Sequence, residues 1–357
     1  MLKRVFAKVI GWIQVVISFL NLSKAKYLKD KSIENIYILC AQGAGDYLMA
    51  TSAIKSIAEI HEKKEVFIVF TRGEVYSLAQ LNRIHELHNL VMITDVVGGF
   101  HQVDLLICLS GPSKDILSLI NRVKPKKVIG FIFSFKIFST FAKSTNTNYL
   151  FENHIKRNDE VVKKLSAKPD GMIHFNFLDA HILNREHTPR IGLYFPYIKN
   201  QKTLPRSVLE DFMRSLGAGD RYETVCLFNF QGETDDLEYL SSRIVGQPNT
   251  FSNLSYVSYA NWEDLLKILL ALDKVICTDS VVFHLCNALG IPVVGIFGPT
   301  NPKNYIPNGF KGNTVTHNSG PQYCYYGTGY NKCMKKGCVD RCYFMSAITK
   351  YDLEEHI

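Results

Sequence analysis

The sequence predicts an α/β protein of two similar domains, each a mostly parallel sheet covered by helices. Three observations carry that expectation. After residue 34, short apolar runs alternate with stretches of helical periodicity, the pattern of strands joined by crossover helices. The rhythm breaks over residues 133–188, and a passage with Pro169, Gly171 and Pro189 leads into a second series. The chain has 357 residues, enough for two domains of ordinary size, and its 46% hydrophobic content excludes a disordered polymer. The expected layout is an arm over residues 1–33, a first domain over 34–180, a second over 181–345 and a C-terminal segment over 346–357.

The arm holds most of the charge imbalance. The whole chain carries a formal +8, and residues 1–31 supply seven basic side chains against one acid, Asp30. A nucleic-acid binder usually carries such charge on its folded body, so no nucleic-acid partner is expected. Residues 5–22 are apolar apart from a narrow stripe through Arg4, Lys8, Gly11, Gln14 and Ser18. That spacing makes an amphipathic helix, too short and too interrupted to span a bilayer. It suits the interface of an anionic membrane. A signal peptide and a packing helix are the alternatives.

In the first domain, residues 36–40 form an apolar strand pattern and residues 47–60 a helical one. The turn between them holds Gly43, Gly45 and Asp46. Two glycines allow a close backbone approach without completing a dinucleotide fingerprint. Asp46 stands where a strand opens into a helix. It is either a helix cap or a general base or ligand clamp. Strands follow at 66–71, 91–94, 103–108 and 127–132, with helices at 74–84 and 113–122. Residues 151–165 read as a helix with its charges outward. His61, His85 and His88 show no partner pattern and read as surface or helix-end residues.

The second domain repeats the scheme. Strands are expected at 191–195, 224–229 and 256–257, and helices at 206–216, 236–244 and from 261 or 262 to 272. Residues 274–302 are the most informative stretch. Strand 275–277 runs into Thr278-Asp279-Ser280, a helix covers 281–289, Gly290 ends it, and a strand at 293–297 leads to Gly298-Pro299-Thr300. In a parallel sheet these loops lie at the carboxyl ends of strands, where ligands bind. Asp279 or Ser280 can cap the helix, whose first N–H groups suit a phosphate.

Of nine cysteines, five lie in apolar elements and read as inert core. Cys324, Cys333, Cys338 and Cys342 cluster near the end of the chain. They can hold a structural zinc or iron, stay free, or pair as disulfides.

Four motifs together resemble the bacterial lipopolysaccharide heptosyltransferase family. The loop from Gly43 to Ala53 looks like the family's first glycine loop, and its catalytic base falls on Asp46. Lys202-Thr203-Leu204-Pro205 resembles its phosphate-binding motif, with Leu204 in place of tryptophan. Glu233 falls at the ribose-binding acid. Asp279 to His284 matches the loop that wraps the diphosphate, with Val281 in place of glycine. Phe297, Gly298 and Thr300 complete the signature.

The resemblance implies a GT-B fold, two Rossmann-like domains facing a cleft. It implies an inverting, metal-independent transfer of heptose from ADP-heptose to a lipid-linked glycan such as the lipopolysaccharide core. Asp46 would be the catalytic residue. Lys202, Asp279, Ser280 and Val281 would bind the donor diphosphate, and Glu233, His284, Gly298 and Thr300 the nucleotide or sugar. The work would take place in the cytoplasm, on the inner face of the inner membrane. A non-catalytic nucleotide-sugar or glycan binder and a UDP-sugar epimerase-like enzyme are the competing readings of the same fold.

Overall fold

The structure is a computed structural model. It describes residues 33–40, 43–62, 64–83, 89–98, 103–109, 120, 122–130, 153–163, 165–177, 188–195, 202, 204–217, 221–222, 224–230, 253–317 and 343–357. They belong to two compact units that divide between His174 and Phe175. The arm, the expected helices at 113–122 and 236–244 in the main, Glu233 and the four clustered cysteines lie outside the described residues.

In the first unit, strands β1 (Asn35–Cys40), β2 (Glu65–Phe70), β3 (Asn89–Met92), β4 (Leu105–Cys108) and β5 (Lys127–Gly130) form a sheet in the order β3-β2-β1-β4-β5. Every pairing is parallel. Ile36, Ile38 and Leu39 of β1 are fully buried, as a central strand covered on both faces requires. The helices are α1 (Ala44–Ile60), α2 (Gly73–Gln80), α3 (Ile93–Gly98) and α4 (His154–Lys163). The chain winds from β1 to β2 and β3, then returns to place β4 on the other side of β1. The loop after β1 therefore sits at a topological switch point, where open α/β sheets form their crevice.

Helix α1 starts at Ala44, three residues before its apolar pattern. Gly43 is an extended N-cap, and the Asp46 carboxylate accepts its N–H in a capping box. Gly45 thus lies inside the first turn of α1, not in the preceding loop. Residues 91–94, expected as one strand, split between β3 and α3.

The second unit comprises β6 (Arg190–Tyr194), α5 (Arg206–Gly217), β7 (Thr224–Phe230), β8 (Leu254–Tyr259), α6 (Trp262–Leu270), β9 (Lys274–Thr278), α7 (Val281–Leu289), β10 (Val293–Ile296), β11 (Asn313–Val315), α8 (Tyr343–Ala347) and α9 (Lys350–Glu354). Its sheet has the order β11-β10-β9-β6-β7-β8 and is parallel throughout. The winding reverses between β6 and β9, where Tyr194 lies opposite Cys277. That switch point brings the loop after β6 beside the loop after β9.

Strand β8 is longer than its apolar pair suggests, because its backbone follows β7 from Leu254 to Tyr259 whatever the side chains. Residues 346–357 are joined to this unit. Ile348 and Leu353 are buried in its core, Tyr222 Oη donates to the Ile357 carbonyl at 2.9 Å, and Lys274 Nζ donates to that of His356 at 2.6 Å. Gly295 in β10 makes room for α7. A Cβ there would lie 2.5 Å from the Phe283 ring, which meets Phe297 edge-on at 5.3 Å.

Candidate functional site

The second unit gathers several of the expected residues at its switch point. Strand β9 ends at Thr278, and Asp279 follows with its N–H donated to the Ile296 carbonyl at 3.0 Å. Its carboxylate meets Lys202 Nζ at 2.7 Å and accepts from Thr300 Oγ1 at 2.6 Å. Lys202 also donates to the Asp279 carbonyl at 3.1 Å. Burial alone would push the Asp279 carboxyl up. The Lys202 charge and the bonds from Lys202 and Thr300 outweigh burial and hold it below the usual carboxylate range. Asp279 thus fixes the lysine rather than capping the helix, as the sequence allowed. Thr300 in turn orients Asp279.

Helix α7 begins beside this pair. Ser280 is its N-cap in extended conformation, and its hydroxyl makes no capping bond. Ser280 Oγ lies beside the Cys277 thiol but forms no hydrogen bond of normal geometry. Thr278 Oγ1 and His284 Nδ1 are likewise buried without a hydrogen-bond partner. Buried polar atoms in folded proteins are nearly always satisfied, so three together at a helix start point to a ligand. The helix dipole, its first N–H groups and Lys202 suit an anion. Val281, the first helical residue, has no polar side chain, so its only polar contribution is its backbone N–H. Gly298 and Thr300 lie in the buried loop after β10, next to β9.

His284 lies one turn into α7, 3% exposed, between the rings of Phe283 and Tyr305. Burial pushes its pKa down to about 4, against an upward pull from Asp279 and with a smaller downward one from Lys202. Because the folded value lies below the ordinary one, acid protonates the unfolded chain first. The stability this histidine confers is complete above about pH 6.5 and falls as pH drops toward 4. At pH 5 the loss is on the order of 2 kcal/mol relative to pH 7. Denaturant melts at the two pH values check this. The difference between wild type and His284→Gln should shrink at pH 5. Asp279 titrates below that window and does not interfere.

The first unit holds Asp46 in the first turn of α1, with Oδ2 3.2 Å from the Gly43 nitrogen. Its side chain faces a small cavity with Cys40 from the end of β1, Leu109 after β4, and His154, Arg157 and Asn158 from α4. Burial pushes the Cys40 thiol up to about 12, with a further push from the Asp46 carboxylate, so it stays neutral. Sequence reasoning missed Arg157 and placed the charges of this helix outward. The structure corrects that. Arg157, Asn158 and Asp159 are 2%, 2% and 4% exposed, because α4 packs against α1 along that face. Asn158 donates to the Met49 carbonyl at 3.3 Å, and burial raises Asp159 to about 6 despite a bond from Ser52. A polar face pressed on an apolar one has no periodic signature, so only the packing reveals it.

Among the described residues no group of three or more His, Cys, Asp or Glu could hold a metal ion. Cys324, Cys333, Cys338 and Cys342 lie outside them, as does Glu233.

Residues 223–336 match the model of glycosyltransferase family 9 (heptosyltransferase). No curated protein matches the chain. Among solved structures, a family 9 glycosyltransferase from Veillonella parvula superposes with a TM-score of 0.67 at 16% identity, over 90% of this chain and 95% of that one. The E. coli ADP-heptose lipopolysaccharide heptosyltransferase II gives 0.64 at 12% identity, over 91% and 97%. E. coli heptosyltransferase WaaC with ADP gives 0.61 at 14% identity, over 90% and 96%. At these identities the likeness speaks for the fold, two Rossmann-like domains of the GT-B type. Residues 223–336 thus resemble the glycosyltransferase family 9 (heptosyltransferase) segment, and the chain has the fold of these solved structures along nearly its whole length.

Proposed function

We propose that this glycosyltransferase moves a heptose from ADP-heptose onto a lipid-linked surface glycan, such as the lipopolysaccharide core, with inversion. The observation that carries the reading is the Lys202–Asp279 pair beside three unpartnered polar atoms at the start of α7. That cluster offers a cation, hydroxyls and helix N–H groups to a departing diphosphate.

In the proposed step the acceptor hydroxyl oxygen attacks the anomeric carbon. The bond from that carbon to the diphosphate oxygen breaks, and its electron pair leaves with the nucleoside diphosphate. Asp46 takes the hydroxyl proton. A single displacement inverts the centre, and no second carboxylate or metal is required for it. Lys202, Ser280 and the Val281 N–H would hold the diphosphate, with Asp279 keeping the lysine in place. Glu233, His284, Gly298 and Thr300 would shape the nucleotide and sugar pocket, and Gly43 and Gly45 would let the acceptor approach Asp46. The four late cysteines would hold a structural zinc or iron, stay free or pair as disulfides, in each case apart from the chemistry.

No helix among the described residues is long and apolar enough to cross a membrane. The basic, amphipathic arm supports peripheral attachment to an anionic inner-membrane face, where a lipid-linked acceptor would be met.

A panel of nucleotide-sugars, each with and without a lipid-linked acceptor in anionic vesicles, tests the reading. Transfer from ADP-heptose only when acceptor is present is expected. Binding without turnover would favour a glycan-binding role, and turnover without acceptor an epimerase-like one.

A further inference from the structure

We infer that Asn158 binds the acceptor sugar, its carboxamide oxygen taking a hydrogen bond from a hydroxyl that neighbours the attacking one. The inference rests on the proposed reading, in which Asp46 takes the proton of the attacking hydroxyl. Asn158 lies on α4, is 2% exposed and lines the same cavity as Asp46. Its Nδ2 donates to the Met49 carbonyl of α1 at 3.3 Å, and its Oδ1 is buried with no hydrogen-bond partner.

The bond to Met49 settles which way the amide faces. A carbonyl can only accept, so the nitrogen points at Met49 and the oxygen away from it. That oxygen is itself an acceptor. A buried acceptor without a donor carries a desolvation cost that folded proteins seldom leave standing. What it lacks is an O–H or an N–H. The cavity at the β1 switch point is the place from which a ligand can supply one, because Asn158 is part of its wall. Asp46, in the same wall, is a second acceptor. Two acceptors on one small cavity suit a molecule that brings more than one hydroxyl, and a sugar with neighbouring hydroxyls is such a molecule. One hydroxyl gives its proton to Asp46 as its oxygen attacks, and the next donates to Asn158. The second bond holds the ring so that a single hydroxyl attacks, and so fixes which linkage forms.

Kinetics on paired acceptors test this. The probes are a lipopolysaccharide core glycan in anionic vesicles and its monodeoxy analogues, each lacking one hydroxyl beside the attacking position. Wild type should lose roughly 3–10-fold in kcat/KM on one analogue, the worth of a neutral hydrogen bond. Asn158→Leu should lose about as much on the parent glycan, treat parent and analogue alike, and keep its KM for the donor. Its product should contain more than one linkage. Should the glycan bind without turnover, calorimetry with the same pairs reads the same discrimination. A purely structural role would lower activity on both acceptors and keep the wild-type preference, so discrimination that persists in Asn158→Leu overturns the inference. Wild-type indifference to every neighbouring hydroxyl overturns it as well, even if the leucine variant fails to fold. A variant with unchanged kinetics means that the oxygen holds only a buried water, and this too overturns it. Failure of the underlying reading looks different. Asp46→Asn would then keep its activity whatever Asn158 does.

Discussion

Asp46→Asn is expected to lower kcat by about 10²–10⁴-fold, the usual worth of a general base. Binding of the nucleotide should stay near wild type, because the proposed diphosphate site is built in the second unit. The variant separates chemistry from structure well. Asparagine keeps an oxygen that can accept the Gly43 N–H, so the capping box at the start of α1 survives. The lost charge near the helix N-terminus costs about 0.3–1 kcal/mol, too little to unfold the unit. Steady-state kinetics on the donor and acceptor that pass the panel, with a nucleotide-binding titration beside them, check both halves. Turnover within tenfold of wild type would remove Asp46 from the role of base.

Lys202→Met should be the most damaging change in the second unit, on two counts. It takes the cation from the proposed diphosphate site, so donor binding and turnover both fall. It also strands Asp279, whose side chain is 4% exposed, without its ion partner. Breaking one side of a buried pair costs about 3–5 kcal/mol, and the 25% exposure of the lysine side chain places the effect near the lower end. The double variant Lys202→Met, Asp279→Asn should regain most of that stability. Thr300 Oγ1 can still donate to the amide oxygen, and no buried charge remains. Activity should stay lost in the double variant. Thermal melts of the three variants, read beside donor binding, check this. A double variant no more stable than the single one would mean that the pair does not hold the loop after β9.

Local signals sufficed wherever an element is closed by its own ends. Helix α7 has the same bounds in sequence and structure, Val281–Leu289, because the turn before it and Gly290 after it are local. Gly290 adopts φ 73°, a left-handed conformation that favours glycine. Start points set by backbone capping were less legible. The apolar pattern of α1 begins at Tyr47, yet the capping box of Gly43 and Asp46 starts the helix at Ala44. Strand β11 is only three residues long and exists through its pairing with β10, so periodicity had nothing to register.

The sequence by itself determined the α/β class and the two-domain plan, and it gave rise to the proposal that the loop after β9 binds a ligand together with Lys202. Those follow from periodicity and from short runs of residues. The tertiary structure alone decided that Lys202 reaches Asp279 across 77 positions, and that Arg157 turns inward to the cavity of Asp46. The reason is physical. Burial and ion pairing depend on which strands lie side by side at a switch point and which helix faces meet, and sheet order is set by long-range packing that no local pattern encodes.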